Sequence, residues 1–209
     1  MIILAHRGWW LDPSEKNSRL AITRAFDAGF GVETDLRDLD GEVVVSHDPP
    51  TGTGHMTLIQ LLELYKAAGE PGVLALNVKA DGLQRALAAA LDKTGVSNYF
   101  VFDMSVPDGL VYLRYGLTTF TRCSEYETAP SFLERAEGVW VDAFDGDWVH
   151  GEHLASLSAA GKSLALVSPE LHGRPHEAVW ARWKAVADEA QGSLMLCTDF
   201  PDAANAVFN

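Results

Sequence analysis

The chain has 209 residues, of which 47% are hydrophobic and 22% charged, a balance typical of a globular protein with a sizeable core and not of a disordered chain. Its formal net charge of −13 argues against a nucleic-acid-binding surface, since no basic patch is present to neutralise phosphates. No apolar run reaches the roughly 18 residues that span a bilayer, and the apolar start reads as a buried strand and not as a signal peptide, so the cytoplasm is the expected location.

Strand-like and helix-like segments alternate along the chain. Short apolar runs predict strands at 2–5, 31–36, 42–46, 73–78, 99–102, 117–121, 138–141, 163–167 and 193–197. Helical spacing of apolar residues predicts helices at 17–28, 57–68, 83–93, 107–115, 130–136, 151–160, 175–190 and 202–208. The strand at 42–46 follows a turn at Asp40-Gly41 and is an addition to the alternating series.

Eight strands, most of them followed by a helix, predict a (β/α)8 TIM barrel in a single domain over residues 1–209. The alternative is an open doubly wound sheet. That alternative is less favoured because no Gly-x-Gly-x-x-Gly segment follows a strand. In a parallel barrel the active site gathers at the carboxyl ends of the strands, so polar residues at these ends are the candidates for function.

Two short stretches near the start of the chain carry chemically useful side chains at such ends. His6 and Arg7 follow the first strand, and Glu33 and Asp35 are spaced i, i+2 so that both point to one face of the second strand. His47 follows the additional strand. Two imidazoles are proton carriers near neutral pH, and a carboxylate pair suits a hard cation. This combination indicates the cleavage of a phosphoester.

At these residues the chain resembles the glycerophosphodiester phosphodiesterase family, a TIM-barrel branch related to phosphatidylinositol phospholipase C. The resemblance spans nearly the whole chain, although the middle of the chain carries no specific motif. The matching segments are His6-Arg7-Gly8, Glu15-Lys16-Asn17-Ser18, Gly31-Val32-Glu33-Thr34-Asp35-Leu36, Asp40-Gly41, Val45-Ser46-His47-Asp48 and Thr198-Asp199-Phe200-Pro201.

The resemblance implies a role for each matching side chain. His6 and His47 are the implied acid and base, and Arg7 and Lys79 are the implied phosphate contacts. Arg122 follows the fifth strand, where a contact with the substrate and a solvent-exposed position are equally compatible with the sequence.

The resemblance also implies a divalent cation, Mg²⁺ or Ca²⁺, bound by Glu33 and Asp35. The family's third strand usually reads Glu-x-Lys and supplies a further ligand, whereas this chain reads Asn77-Val78-Lys79. An asparagine still offers a carbonyl oxygen, but one negative charge is lost from the site. We therefore expect Asn77 to be either a weaker ligand or a remnant position.

Together these observations predict a metal-dependent phosphodiesterase that acts on a glycerophosphodiester-like small molecule. Two other functions stay open from the sequence. One is a non-catalytic barrel that binds a phosphate ligand, which is compatible with Asn77 in place of the family's usual glutamate. The other is a lyase in which a substrate hydroxyl displaces the leaving group and a cyclic phosphate is released. The alcohol groups of the substrate, the choice of metal and the oligomeric state are not encoded in any motif.

Overall fold

The computed structural model describes residues 1–149, 151–187 and 193–209, and its strands and helices alternate as a β/α barrel. The barrel strands are β1 (Ile2–His6), β2 (Gly31–Leu39), β4 (Leu74–Val78), β5 (Tyr99–Phe102), β6 (Phe120–Cys123), β7 (Gly138–Val141), β8 (Ser163–Val167) and β9 (Leu194–Thr198). An additional strand, β3 (Glu42–Val45), pairs antiparallel with β2. The predicted fold class is confirmed.

The helices cover the outside of the barrel. They are α1 (Arg19–Asp27), α2 (Leu58–Ala67), α3 (Gln84–Thr94), α4 (Val106–Arg114), α5 (Gly151–Ala159), α6 (Glu177–Ala187) and α7 (Pro201–Phe208). Of the predicted helix at 175–190, residues 188–190 lie outside the described residues. None of the helices in the described ranges combines the length and the apolar character that a bilayer crossing requires.

Local capping explains where two of these helices begin. Ser18 precedes α1 and its side chain accepts a hydrogen bond from the Ala21 amide. Thr57 and Gln60 form a capping box at the start of α2, in which each side chain accepts a hydrogen bond from the other residue's amide. Both helices turn apolar residues toward the strands, and this face contributes to the layer of core between helices and barrel.

The sheet runs in the order β5-β4-β2-β1-β9-β8-β7-β6, with parallel pairing between all neighbours. The barrel is closed between β5 and β6, where Val101 and Thr119 form a parallel bridge and the Val101 amide donates to the Thr118 carbonyl oxygen at 2.8 Å. The first and last strands, β1 and β9, lie side by side, so both ends of the chain contribute to one region of the mouth.

Alternation along the strands separates two cores. Side chains that point outward pack against the helices, while those that point inward fill the barrel. The interior is occupied by two stacked aromatic pairs, Phe100 with Phe120 and Phe102 with Trp140, each with ring centroids 3.9 Å apart. The Phe102–Trp140 pair lies near the carboxyl end of the barrel, since Phe102 is the last residue of β5 and pairs in register with Asn77.

Two predicted elements differ from the structure. The helix expected at 130–136 is a series of turns, in which Phe132 has a left-handed backbone (φ 45°) and its ring packs against Gly109 of α4. That contact fixes a conformation that a helix cannot adopt. The strand expected at 117–121 lies at Phe120–Cys123 instead, with Thr119 forming the closing bridge to β5.

The turn between β1 and α1 depends on Gly8. Its backbone is left-handed (φ +86°), and a Cβ at this position would lie 2.7 Å from the Ala21 carbonyl carbon and 2.8 Å from the Ile22 nitrogen. Both contacts are with the backbone of α1, which cannot move aside as a flexible side chain would. Gly8 therefore lets the turn that follows His6 pack directly on the helix.

We expect Gly8→Ala to lower the free energy of unfolding by about 2–4 kcal/mol, since it combines left-handed strain with overpacking against backbone. Denaturant unfolding followed by circular dichroism measures this loss. Gly29→Ala is the matched control, because Gly29 has nearly the same φ (+82°) and, among the described residues, no atom lies within 4 Å of the added Cβ. A similar loss in both variants would contradict the packing explanation.

Candidate active site

The inward-pointing positions turn from apolar to polar at the carboxyl end of the barrel. Leu4 and Ala75 lie in the barrel interior, and two residues further along the same strands are His6 and Asn77. Strand register sets His6 opposite Glu33 and Asp35 opposite Asn77. The four polar side chains thus lie together at the carboxyl end of the barrel, beside the Phe102–Trp140 pair.

Glu33 and Asp35 were expected to end the second strand, but β2 continues beyond them. β2 continues to Leu39 because its second half pairs with β3. The two carboxylates still reach the mouth, because β1 ends at His6 beside Glu33. Both are almost completely buried, at 2% and 0% exposed. Burying two carboxylates on neighbouring inward positions costs folding free energy unless cations or hydrogen-bond donors pair with them. The partners of these two groups therefore define the site.

His6 is held by Asp199, the residue that follows β9. The His6 Nδ1 and the Asp199 Oδ1 lie 2.6 Å apart. Burial raises the pKa of Asp199, but the His6 hydrogen bond and Lys16 outweigh it, so the net shift is downward. An ionised carboxylate can only accept, so His6 Nδ1–H donates to it. The other ring nitrogen, Nε2, then faces Glu33 Oε2 at 3.9 Å and is the atom available for proton transfer.

Glu170 supports Asp199 from behind. Its carboxylate accepts hydrogen bonds from the Asp199 amide at 3.2 Å, from the Thr198 hydroxyl and from the Ser168 hydroxyl. The Ser168 hydroxyl is itself held by the Trp180 indole of α6, at 2.7 Å. The His6–Asp199 pair therefore rests on a connected polar network, which restricts the orientation of the imidazole ring.

Asp35 lies between cationic and amide donors. Its Oδ2 is 3.0 Å from Arg7 Nε and accepts a hydrogen bond from Asn17 Nδ2 at 2.8 Å. Its Oδ1 is 3.7 Å from Lys79 Nζ and has no hydrogen-bond partner within the described residues. The Asn17 carbonyl oxygen accepts from the Thr34 hydroxyl at 2.7 Å, which fixes the amide. One carboxylate oxygen is therefore satisfied and the other is left open to the site.

Glu33 is held by Asn77 and by backbone. Asn77 Nδ2 donates to Glu33 Oε1 at 3.1 Å, and the Arg7 amide lies 3.3 Å from Oε2. Asn77 Oδ1 is buried with no partner in the part of the chain that the structure describes. Burial, with the charge of Asp35 as the second cause, raises the pKa of Glu33 to about 7. The site thus holds a carboxyl group that is poised to lose its proton near neutral pH.

The raised pKa of Glu33 has a measurable effect on stability in the absence of metal. Between the unfolded value of 4.5 and about 7 the folded protein binds more protons than the unfolded chain, so this group lowers stability as pH rises through that window. With a chelator present, we expect the unfolding free energy of Glu33→Gln to rise relative to that of the native chain as pH increases from 4.5 to about 7. Above that window the difference should be about 3 kcal/mol.

The measurement is denaturant unfolding of both proteins across this pH range. Glu63→Gln, at an exposed position of α2, is the matched control and should show a difference that does not vary with pH. A pH-independent difference for Glu33→Gln would show that Glu33 is ionised throughout and is stabilised by its cationic neighbours.

Lys79 and Arg122 meet at Asp103, the residue after β5. Lys79 Nζ lies 3.0 Å from Asp103 Oδ2, and Arg122 Nη1 donates to Asp103 Oδ1 at 2.6 Å. Arg122 also pairs with Glu127, and its guanidinium lies 5.9 Å from the Phe144 ring centroid. Lys79 therefore lies within the site beside Asp35, whereas Arg122 is partly buried and engaged by two carboxylates at the rim.

His47 reaches the same mouth from the hairpin of β2 and β3. The Ser46 amide donates to the Asp35 carbonyl oxygen at 3.0 Å, so the chain after β3 lies against the acidic strand. The His47 ring places Nδ1 2.8 Å from Asp48 Oδ1, and Arg37 Nε donates to the His47 carbonyl oxygen at 2.7 Å. His47 and Arg7 line one groove of about 550 Å³. Because Arg7 follows His6 in the chain and lines the groove with His47, both histidines lie near the same groove.

The architecture agrees with that of known phosphodiesterases of low sequence identity. A protein of Galdieria sulphuraria assigned as a glycerophosphodiester phosphodiesterase matches 100% of this chain and 98% of its own length, with a TM-score of 0.77 and 19% identity. A glycerophosphodiester phosphodiesterase from Agrobacterium tumefaciens str. C58 matches 100% and 98%, with a TM-score of 0.69 and 17% identity. This chain has the fold of the glycerophosphodiester phosphodiesterases.

A Ca²⁺-dependent phosphatidylinositol-specific phospholipase C from Streptomyces antibioticus shares that fold more distantly. It matches 100% of this chain and 96% of its own length, with a TM-score of 0.63 and 11% identity. No family model matches the sequence, and a search of curated proteins gave no match. The similarity in fold is thus clear from the structure, whereas the similarity in sequence is low and is concentrated in short motifs at the strand ends.

Three residues that surround the site had no assigned role in the sequence analysis. Asp199 and Asn17 lie in segments that resemble the family, Thr198-Asp199-Phe200-Pro201 and Glu15-Lys16-Asn17-Ser18, and that resemblance is the signal that could have identified them. Glu170 lies in no such segment. Its position just beyond a predicted strand places it among the polar residues of the rim, but its contact with Asp199 emerges only from the proximity of β8 and β9.

Proposed function

We propose that this protein is a divalent-cation-dependent phosphodiesterase that cleaves a glycerophosphodiester-like small molecule by general acid–base catalysis. The observation that carries the proposal is the group of His6, Glu33, Asp35 and Asn77 at the carboxyl end of the barrel, with the imidazole oriented by Asp199. A barrel that only bound phosphate would have no need of an imidazole whose tautomer is set by a partly buried carboxylate. The shared fold supports the same activity.

His6 and His47 are the proposed proton carriers. Because Asp199 holds Nδ1 of His6, Nε2 exchanges the proton with the substrate. In the same way Asp48 engages Nδ1 of His47, which leaves its Nε2 to the groove. One imidazole takes a proton from the attacking hydroxyl or water, and the other gives a proton to the departing alkoxide. Proton exchange with solvent then returns both rings to their starting protonation states.

Arg7 and Lys79 are the proposed phosphate contacts. Arg7 uses Nε for Asp35, and its guanidinium is also part of the groove wall that includes His47. Lys79 Nζ is held between Asp35 and Asp103. Both cations lie beside the buried Asp35 carboxylate before substrate arrives, so they can stabilise charge on the phosphate oxygens with little rearrangement.

The residues present fit a hard divalent cation, Mg²⁺ or Ca²⁺. Two buried oxygens, Asp35 Oδ1 and Asn77 Oδ1, have no hydrogen-bond partner within the described ranges, and Glu33 adds a carboxylate beside them. Within those ranges no three His, Cys, Asp or Glu side chains group as a metal site, so the proposed centre depends on the asparagine oxygen. When bound, the cation would supply a positive charge for the phosphate oxygens.

The experiment that tests the proposed function is turnover of glycerophosphodiesters and of bis(p-nitrophenyl) phosphate, with Mg²⁺, with Ca²⁺ and after chelation. We expect turnover with metal and at least a tenfold loss in the chelator. Absence of turnover under all these conditions would refute the proposal in favour of a binding protein. Phosphorus NMR of the products separates the two cleavage modes, because a lyase releases a cyclic phosphate and a hydrolase does not.

A further inference from the structure

One groove beside the site is lined by more cationic than acidic side chains, in contrast to the chain as a whole. The whole chain carries 16 Lys and Arg against 29 Asp and Glu. The groove, in contrast, is lined by three cationic residues, two histidines and one carboxylate: Arg7, Lys16, Arg19, His47, His55 and Asp48. An isolated basic surface on an acidic protein marks a place where an anion can approach, because the overall field repels anions elsewhere.

The cations of this groove differ in how far they are already engaged. Arg7 is paired with Asp35 at 3.0 Å, and Lys16 Nζ lies 3.5 Å from Asp199 Oδ2 and 4.4 Å from the Trp10 ring centroid. Arg19, at the first position of α1, is exposed and forms no ion pair within the described residues. Arg19 is therefore the cation of the groove that is available to a ligand.

The groove is continuous with the proposed catalytic centre. Arg7 and His47 belong to both, and Lys16 joins the groove to the Asp199 that orients His6. Its volume of about 550 Å³ lies within the range of about 300–1,000 Å³ that is usual for small-molecule sites. A ligand whose reacting phosphate is held at Arg7 can thus extend along the groove toward Arg19.

We propose that this groove is a second anion subsite, which binds a phosphate or carboxylate group carried by one of the two alcohols of the phosphodiester. The inference rests on the proposed function and narrows its substrate class. A diester phosphate carries one negative charge, and Arg7 and Lys79 already face it. Arg19 and the start of α1 beside it create a positive potential. This potential would attract an anionic group on the alcohol but not a neutral alcohol.

The test compares three substrates built on one skeleton: glycerophosphoglycerol, the same ester with a terminal phosphate, and the ester in which glycerate replaces the second glycerol. We expect kcat/KM to be at least tenfold higher for an ester with the additional anion, mainly through a lower KM. The phosphate and carboxylate arms identify which anion is preferred. Arg19→Gln should bring the ratio close to one, and added salt should reduce it.

Arg114→Gln is the matched control, since Arg114 is exposed in the last turn of α4, at the opposite end of the barrel. It should keep the preference of the native chain. Equal kcat/KM for the three esters, or a preference that survives Arg19→Gln, would overturn the subsite while leaving the phosphodiesterase intact.

If none of the esters nor bis(p-nitrophenyl) phosphate is turned over, the proposed function fails, and the groove is judged by binding instead. Calorimetry with glycerol 1-phosphate and glycerol 1,3-bisphosphate then decides. Tighter binding of the bisphosphate that is lost in Arg19→Gln would support an anion site independent of catalysis. Equal binding of the two would overturn it.

Discussion

Replacement of His6 by alanine is expected to lower kcat by about 10²–10⁴-fold, the usual contribution of one positioned proton carrier. The physical reason is specific to this site. Asp199 fixes the tautomer through Nδ1, and a network through Glu170 holds Asp199, so the variant removes the one ring nitrogen, Nε2, that is oriented for proton transfer. The measurement is steady-state turnover of a glycerophosphodiester by His6→Ala with saturating divalent cation.

The control for this prediction is His153→Ala, at an exposed position of α5, which should keep native turnover. Added imidazole should restore part of the activity of His6→Ala, because the deleted ring leaves room at the mouth and the hydrogen-bond acceptor on Asp199 stays in place. Native turnover in His6→Ala would rule out the acid–base role, and the cation and Arg7 would then have to account for the whole rate.

Replacement of Asn77 by aspartate is expected to act in opposite directions on stability and on metal binding. Asn77 is 7% exposed, and its amide nitrogen now donates to Glu33 at 3.1 Å. The variant exchanges that donor for a third acidic group beside Glu33 and Asp35. In a chelator we expect a loss of about 2–4 kcal/mol of unfolding free energy, because a buried unpaired charge is introduced and a hydrogen bond is lost.

With Mg²⁺ or Ca²⁺ present the same substitution should tighten cation binding by about tenfold or more, since ligand charge is a main determinant of affinity for these ions. Calorimetric titration with each cation measures the affinity. Asn205→Asp, at an exposed position of α7, should alter neither quantity. Unchanged cation affinity in Asn77→Asp would show that this side chain is not a ligand and that the proposed metal centre lies elsewhere or is absent.

Much of the fold could be predicted because its signals are local. The spacing of apolar residues marks each barrel strand, and the two-residue alternation that buries Leu4 and Ala75 also carries His6 and Asn77 to the mouth. The helix expected at 130–136 was wrong because tertiary packing decides that segment. Phe132 inserts its ring against Gly109, and a local pattern contains no information on that distant contact.

The candidate site, like the fold, was predictable where its signals are local and not where they depend on long-range contacts. The residues that could act on a phosphoester were identifiable from their types and positions at strand ends. Their partners were not, since Asp199 meets His6 across 193 positions of sequence and Glu170 meets Asp199 across 29. Barrel closure creates these pairs by placing β9 beside β1 and β8 beside β9. Pairing, orientation and the raised pKa of Glu33 are therefore properties of the closed barrel.

The narrow closure between β5 and β6 suggests how this barrel fluctuates. In the described part of the chain those strands share one parallel bridge, Val101 with Thr119, whereas β9, β1, β2 and β4 are paired along several residues each. Among the strand pairs of the barrel, we therefore expect native-state hydrogen exchange to be fastest between β5 and β6. His6, Glu33, Asp35 and Asn77 lie on β1, β2 and β4, where we expect slower exchange, so the barrel can open locally between β5 and β6 while these four residues keep their arrangement.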